Sequence, residues 1–413
     1  MKNPINRRTF LRVGAMTGLA SGIPINALAD NDMAKAAKDE GVKRYVTLGR
    51  TGLKISDISF GSSRLRNGQE HLVRHALDRG VNYYDTAESY TRGVSEVVMG
   101  NALKGDRDRV HIATKSHVGP DDSADQIMER LETSLGKLQT DYVDIFFNHA
   151  VNDVERLKNG AWFEFVEKAK RQGKIRFSGF SGHAGRLTDC IDYAVEQDMV
   201  DALLVATNFG EDPSFYEEVY ERLTKGFDFV AKQQALPDSL ARAKAKNVGI
   251  VAMKVLRGAK LNDMRAYEAA GATYAQAAFK WVLKNPSVDA AIISMTSTDD
   301  IDEYLGGSGG QAVSETDMQL LHQYAQMTDM TYCRHVCNDC EGACPYNVSI
   351  PDVLRTRMYA TDYGDFSFAK AEYQQLEHNA SPCLSCDGAP CRDACTHNIK
   401  IADLCGPTHQ LLS

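Results

Sequence analysis

No apolar run in this chain reaches the roughly 18 residues that a membrane-spanning helix needs, so no span is expected. Basic residues are the minority: 47 Lys and Arg stand against 55 Asp and Glu, for a net charge of −8. No basic stripe is available to neutralise phosphates, which argues against a nucleic-acid partner. No G-x-G-x-x-G follows a predicted strand. GFSGHAG at residues 179–185 has the wrong spacing, so the dinucleotide fingerprint of open α/β sheets is absent. Cysteine is almost missing from the front of the chain: of ten, only Cys190 precedes residue 330. The remaining composition is that of a globular protein, 43% hydrophobic and 25% charged over 413 residues, enough for one large domain and a smaller one.

The stretch that organises the rest is GVNYYDTAESY, residues 80–90. Residues 81–87 are mostly apolar and aromatic after Gly80, the pattern of a buried strand. Asp85 lies near the C-terminal end of that strand and Tyr90 in the following loop. Residues 110–115, VHIATK, form a second apolar run and end on Lys115; residues 142–149, YVDIFFNH, form a third and end on His149. In a barrel of parallel strands, that rim is where catalytic groups sit. Singly, each residue is more often structural, as a loop-capping Asp or a surface Tyr. Together, Asp85, Tyr90, Lys115 and His149 make a proton-transfer set. The ordinary tyrosine pKa of about 10 is too high for easy exchange near neutrality. A neighbouring ammonium lowers it, a carboxylate keeps that ammonium charged and in place, and an imidazole orients a carbonyl oxygen.

With LGRTGLKISDISFG (48–61), GVSEVVMGNAL (93–103) and GKIRFSGFS (173–181) added, the chain from about residue 43 to 305 resembles the aldo-keto reductases. The resemblance implies an α/β fold of the (β/α)8 TIM-barrel type, an NAD(H) or NADP(H) cofactor, and a small-molecule carbonyl or alcohol substrate. It makes Tyr90 the general acid or base, with Lys115 tuning it, Asp85 fixing Lys115, and His149 orienting the substrate oxygen. His117 and His183, on neighbouring rim loops, are further candidates for substrate contact. The carboxamide of the nicotinamide would rest on Ser181 and Asn208. Gly182 stands where the family carries Asn, which removes one expected hydrogen bond. The phosphates would lie over Met253, Lys254, Leu256 and Gly258 and over Met295 and Thr296, the loops after strands seven and eight that bind phosphate in such barrels. Asp299 and Asp300 occupy the region where a 2′-phosphate needs cations, so NAD(H) fits at least as well as NADP(H).

The N-terminus runs Asn6-Arg7-Arg8-Thr9-Phe10-Leu11-Arg12, then a weakly apolar Gly/Ala-rich stretch, then Ala27-Leu28-Ala29. Basic region, apolar region and small-residue site come in the order of a signal peptide, and the paired arginines resemble the twin-arginine export signal. The expectation is a signal over 1–29 cleaved near Ala29, a polar leader over 30–42, and a protein that is periplasmic or otherwise exported by the twin-arginine pathway. Free nicotinamide nucleotide is not expected there, so the cofactor would have to travel tightly bound. Strands are expected near 55–61, 81–87, 110–115, 142–149, 175–181, 202–208, 249–254 and 290–295, with helices such as 124–138 and 274–283 between them. Eight such alternations fit a closed barrel over 43–305 better than an open sheet. The long connection at 214–237 has helical spacing and is expected on the outer ring. GGSGG at 306–310 reads as a flexible linker, and a helical pattern over 315–327 leads to a tail domain over 331–413.

That tail carries Cys333-x3-Cys337-x2-Cys340-x3-Cys344-Pro345 and Cys383-x2-Cys386-x4-Cys391-x3-Cys395-Thr396. Three close thiolates plus a fourth that ligates the other cluster is the bacterial dicluster ferredoxin pattern. The tail therefore resembles a small, mainly helical ferredoxin-like domain with two [4Fe–4S] clusters. Cys333, Cys337, Cys340 and Cys395 would hold one cluster, and Cys383, Cys386, Cys391 and Cys344 the other. Each run departs from the pattern by one extra residue, and Thr396 replaces the second proline. Zinc also accepts four-cysteine sites, and exported proteins also carry disulfides. Export of folded protein would allow clusters to be inserted beforehand. Such a tail serves electron transfer with a redox partner protein, or is only a structural or partner-docking module. Cys190 and Cys405 fall outside both sets.

Overall fold

The computed structural model describes residues 41–183, 186–211, 215, 235–257, 264–268, 272–328, 332–333, 337, 339–362 and 364–413. The export signal and nearly all of the leader, Gly258, and most of the 214–237 connection lie outside the described residues.

An antiparallel hairpin comes first, β1 (Tyr45–Thr47) and β2 (Lys54–Ser56), with Tyr45 opposite Ser56. Eight parallel strands then close into a barrel: β3 (Ile58–Gly61), β4 (Tyr83–Asp85), β5 (His111–Ser116), β6 (Val143–Asn148), β7 (Ile175–Gly182), β8 (Ala202–Ala206), β9 (Gly249–Met253) and β10 (Ala290–Ser294), which pairs back onto β3. The helices between them are α1 (Glu70–Asp78), α2 (Val94–Leu103), α3 (Ala124–Leu138), α4 (Gly160–Arg171), α5 (Leu187–Glu196), α6 (Ala235–Ala245), α7 (Tyr274–Leu283) and α8 (Thr298–Leu305). Local chemistry starts them. Ser123 and Gln126 form a reciprocal capping box on α3, and Thr273 and Ser297 cap α7 and α8 with their side chains.

Successive strand residues face opposite ways. Tyr84, Ile112, Phe146, Phe180 and Leu203 point outward into the layer shared with the helices. Tyr83, Ala113, Ile145, Phe147, Leu204 and Val251 fill the barrel interior. The same alternation puts Asp85 on the interior side with Tyr83 and Lys115 with Ala113, and carries the side of Ile145 and Phe147 on to His149. Leu48, Leu53 and Ile55 of the hairpin plug the interior at the strands' N-terminal end. Gly249 opens β9 there because a Cβ would come within 2.6 Å of Leu48 Cγ. The interior is thus sealed at one end, and the strand C-termini form the other.

Two expectations are corrected by one residue. The single strand expected over 55–61 is split between hairpin and barrel at Asp57, which is 1% exposed. Its carboxylate accepts hydrogen bonds from Ser308 Oγ at 2.6 Å and from the Gly309 N–H at 2.9 Å, and Ser308 Oγ in turn accepts from the Lys43 N–H at 2.8 Å. The glycine-rich stretch at 306–310 is therefore a pinned turn rather than a loose spacer: a buried carboxylate must find donors, and this turn supplies them. Asp57→Ala strands a hydroxyl and an amide. It is expected to destabilise the fold by about 2 kcal/mol, read as a lowered thermal midpoint; an unchanged midpoint would show the turn to be idle.

The following helix, α9 (Glu315–Thr328), packs back on the barrel. Lys280 Nζ of α7 lies 3.1 Å from both Asp317 oxygens, and Tyr324 stacks on Tyr274 with ring centroids 4.2 Å apart. The tail is mainly helical: α10 (Ile350–Thr361), α11 (Phe366–Tyr373) and α12 (Ile401–Leu412) surround a core of Val348, Ile350, Val353, Tyr373, Ile401 and Leu412. The turns that end its two cysteine runs fold alike. The Asn347 N–H bonds to the Cys344 carbonyl and the Asn398 N–H to that of Cys395, with both asparagines left-handed at φ 54° and 57°. Asparagine tolerates that conformation well, so Thr396 in place of proline leaves the turn intact. No described helix is long and apolar enough to cross a membrane.

The tail lies against loops at the open end of the barrel. Asp365 accepts from Arg64 at 3.1 Å and Arg66 at 2.5 Å, both beyond β3. Arg355 of α10 reaches His183, beyond β7, and the ring of Tyr332 faces Arg257, beyond β9, at 5.3 Å.

Candidate active site

Lys115 enters the interior from β5 and is fully buried, as is Asp85 from β4. Lys115 Nζ donates to Asp85 Oδ1 at 2.6 Å and to the Thr86 carbonyl at 2.6 Å, and lies 3.3 Å from the Tyr90 hydroxyl. The ring of His149 meets Tyr90 edge-on, with centroids 5.6 Å apart. The four residues singled out in the sequence thus meet at one point, just above the barrel's apolar filling.

The electrostatics differ from expectation at one of them. The sequence reading has Lys115 lowering the Tyr90 pKa. In the structure, burial pushes the phenol well up, and the Asp85 and Glu372 carboxylates push it further. Burial leads, and the Asp85 carboxylate, 2.6 Å from Lys115 Nζ, opposes the effect that this ammonium would otherwise have on the phenol. Tyr90 is therefore a protonated donor near neutrality.

Burial, followed by the charges of Lys115, His117, Arg156 and Lys254, holds His149 well below the ordinary imidazole pKa; His183 is lowered likewise. Both rings are neutral near pH 7. An unfolded chain takes up protons at these positions below about pH 6.5, whereas the folded one refuses them, so stability is expected to fall as pH drops through that value. Thermal midpoints that stay level from neutrality down to pH 5 would contradict this.

Sequence reasoning missed Arg156. Its guanidinium donates to the carbonyls of Val118, Ala150 and His149 and to Asn148 Oδ1, at 2.7 to 2.9 Å, and so fixes the loop that carries His149. Glu372 and Arg355 were missed as well, because they arrive from the tail. His117 is exposed on its loop.

Of the residues proposed for a nicotinamide cofactor, Ser181, Asn208, Met253, Lys254, Met295 and Thr296 lie at or just beyond the C-terminal ends of β7, β8, β9 and β10. Ser181 and Asn208 are both buried. Ser181 Oγ accepts from the Ala150 N–H at 3.0 Å, and Asn208 Oδ1 from the Gly210 N–H at 2.9 Å. These bonds fix two polar side chains beside the tetrad, as a carboxamide requires. Gly182 has a steric reason: a Cβ would lie 2.6 Å from Leu187 Cδ1 and 2.9 Å from the Val151 carbonyl, so the asparagine of the resembled family has no room. Met253 ends β9 and Lys254 follows in the left-handed region at φ 61°. Leu256 and Met295 are buried, and Thr296 donates to Asp300 at 2.6 Å. Arg257, in the loop expected to hold phosphate, is instead wholly buried between the rings of Phe209 and Tyr332.

In the tail, Cys333, Cys337, Cys340 and Cys395 line one cavity, backed by Leu354, Ile399 and Ile401. No disulfide joins any of the described cysteines. Among the described residues no three His, Cys, Asp or Glu are placed to hold a single metal ion. The four thiols surround a space rather than converge on a point.

The sequence profile of the Aldo/keto reductase family matches residues 57–323, ending before the first tail cysteine. L-galactose dehydrogenase of Arabidopsis thaliana is 26% identical over 272 residues, covering 62% of this chain and 85% of that protein. L-glyceraldehyde 3-phosphate reductase of Escherichia coli K12 is 22% identical over 323 residues, 69% of this chain and 93% of the relative. Among solved structures, a putative aldo-keto reductase from Pseudomonas aeruginosa superposes with a TM-score of 0.52 at 22% identity, over 70% of this chain and 99% of that one. An aldo-keto reductase from Bacillus halodurans in its holo form gives 0.53 at 19% identity, over 68% and 96%. The family profile spans more than half of the residues and covers the barrel with its buried Lys–Asp pair; the chain belongs to the aldo/keto reductase family and is an oxidoreductase.

Proposed function

We propose that this protein is an exported oxidoreductase that moves hydride between a nicotinamide cofactor and a small carbonyl or alcohol, with Tyr90 as the general acid or base and two tail [4Fe–4S] clusters for electron transfer. One observation carries the reading: a buried lysine touches both Asp85 and the Tyr90 hydroxyl at the open end of the barrel. The nicotinamide nucleotide is the cofactor of this family; Ser181, Asn208 and the loops after β9 and β10 would hold it, and it would supply the hydride as NAD(P)H or take it as NAD(P)+.

The chain's own residues do the rest. In reduction, the substrate oxygen rests between Tyr90 and the neutral His149, and both can donate to it. As hydride reaches the carbon, charge builds on that oxygen and Tyr90 gives up its proton. A raised phenol pKa does not prevent this, because an alkoxide is more basic than a phenolate. Lys115 then faces the new phenolate and stabilises it, while Asp85 keeps the ammonium charged in a site where burial alone would neutralise it. In oxidation the same proton returns to Tyr90. The names of the relatives make hydroxylated aldehydes and sugars the first substrates to try.

The cluster assignment draws on ligand spacing and on the four-thiol cavity, and export draws on the twin-arginine pattern and the small-residue site ending at Ala29. A second reading has its own support: Asp365 and Arg355 tie the tail to the barrel's rim loops, as a purely structural or partner-docking module would be tied. The visible spectrum of anaerobic protein before and after NADH or NADPH separates the two. Bleaching connects the clusters to the nicotinamide. Absorption that does not bleach favours the structural reading, and absence of absorption removes the clusters.

A further inference from the structure

His183 directly follows the end of β7 and continues, by the period of two, the interior side that carries Phe177 and Ser181. It is half-buried, and its Nδ1 lies 3.2 Å from Nη1 of Arg355 in the tail helix α10. The Arg355 side chain is only 11% exposed, and its Nη1 also donates to Asp352 at 2.7 Å, which fixes where the guanidinium points. A guanidinium has donors only and keeps its charge, so the ring nitrogen facing it must accept. The ring proton of His183 therefore sits on Nε2. Among the described residues, the charged or titratable groups acting on this ring are Arg355 from α10, Lys254 after β9 and His149 after β6. Burial first, then the Arg355 charge, keeps the ring from taking a second proton.

We infer that Arg355 is a positioning residue for the barrel's reaction: through it, the tail fixes His183 as a neutral Nε2–H donor to an oxygen of the substrate beside the reacting carbon. The inference rests on the pocket around Tyr90 being the reaction site. It selects substrates with a hydroxyl or similar acceptor next to the carbonyl over plain alkyl aldehydes. It also gives the tail a part in substrate binding that involves no electron transfer at all, because Arg355, which faces Nδ1, belongs to the tail helix.

The test uses the full-length holoprotein with 15N-labelled histidine, the His183 signal being assigned through His183→Gln. Long-range 15N–1H spectra should show a neutral Nε2–H ring from about pH 8 down to about 5.5. In Arg355→Met, that ring should titrate closer to its ordinary value. Kinetics are read with glyceraldehyde and propanal, which differ only in hydroxyl groups. Arg355→Met and His183→Leu should each raise the KM for glyceraldehyde about tenfold relative to the KM for propanal, with the larger change in KM than in kcat. His183→Gln keeps an N–H donor and should recover most of the loss. A wild-type Nδ1–H tautomer, a ring indifferent to Arg355→Met, or equal effects on both aldehydes overturns the inference. If the tautomer is as stated but neither aldehyde is reduced, the substrate role is overturned. If NADPH also fails to bind, the reaction reading of the pocket falls separately.

Discussion

Tyr90→Phe should lower kcat for carbonyl reduction by about a thousandfold, within the range that a positioned general acid contributes, while NADPH binding stays within a factor of about two. The ring is kept, so its edge contact with His149 survives, and among the described residues the hydrogen bond removed is the 3.3 Å approach of Lys115 Nζ. Stability should change little, because Asp85 and the Thr86 carbonyl still hold the lysine at 2.6 Å. Lys115→Met makes the informative contrast. It leaves Asp85 buried without its cation, and breaking a buried pair in this way costs about 3–5 kcal/mol. Activity and thermal midpoint should therefore fall together in Lys115→Met and part company in Tyr90→Phe. Single-turnover rates with pre-bound NADPH, compared with binding titrations and melting curves, separate the cases. A Tyr90→Phe enzyme that keeps a tenth of its rate would move the proton donor elsewhere, with His149 the next to replace.

Cys395→Ala and Cys340→Ala are expected to remove the same iron. These two thiols lie far apart in sequence yet line one cavity with Cys333 and Cys337. Either change should halve the iron and sulfide content of anaerobically prepared protein and halve its visible absorption, leaving the set of Cys383, Cys386, Cys391 and Cys344 loaded. Combining the two should remove no more than either alone, which is how two ligands of one centre behave. Pairing Cys340→Ala with Cys386→Ala should instead remove all of it. Full iron retention in Cys395→Ala would break the crossed arrangement, and zinc in place of iron would overturn the cluster assignment outright.

Most of the barrel was legible because two local rules agree there. Apolar runs ending in Asp85, Lys115 and His149 gave the strands, and the period of two places those residues, with Ser181, toward the interior. Helix limits such as Ala124–Leu138 followed from a capping box that involves only neighbours. What could not be read depends on partners distant in sequence. The break at Asp57 exists because Ser308 and Gly309 lie over it, and nothing within residues 55–61 announces that. A glycine in place of asparagine at 182 looks like a lost hydrogen bond until Leu187 and Val151 are seen to fill the space. Arg257 sits in a segment whose pattern suggests a phosphate loop, and only the rings of Phe209 and Tyr332 show that it turns inward. The neutralising effect of Asp85 on Lys115 was also hidden, since spacing says nothing about a 2.6 Å contact.

The cavity of Cys333, Cys337 and Cys340 is completed by a thiol near the end of the chain, which bears on when the protein can be finished. Chains are made and folded from the N-terminus onward. The barrel and three of these thiols therefore leave the ribosome well before Cys395 does. A chain that stops after α11 would carry a complete barrel but a cavity open on one side, and its other thiol set would lack every member except Cys344. Completion of both thiol sets thus waits until Cys395 has been made, so a filled tail would certify that translation had passed that residue.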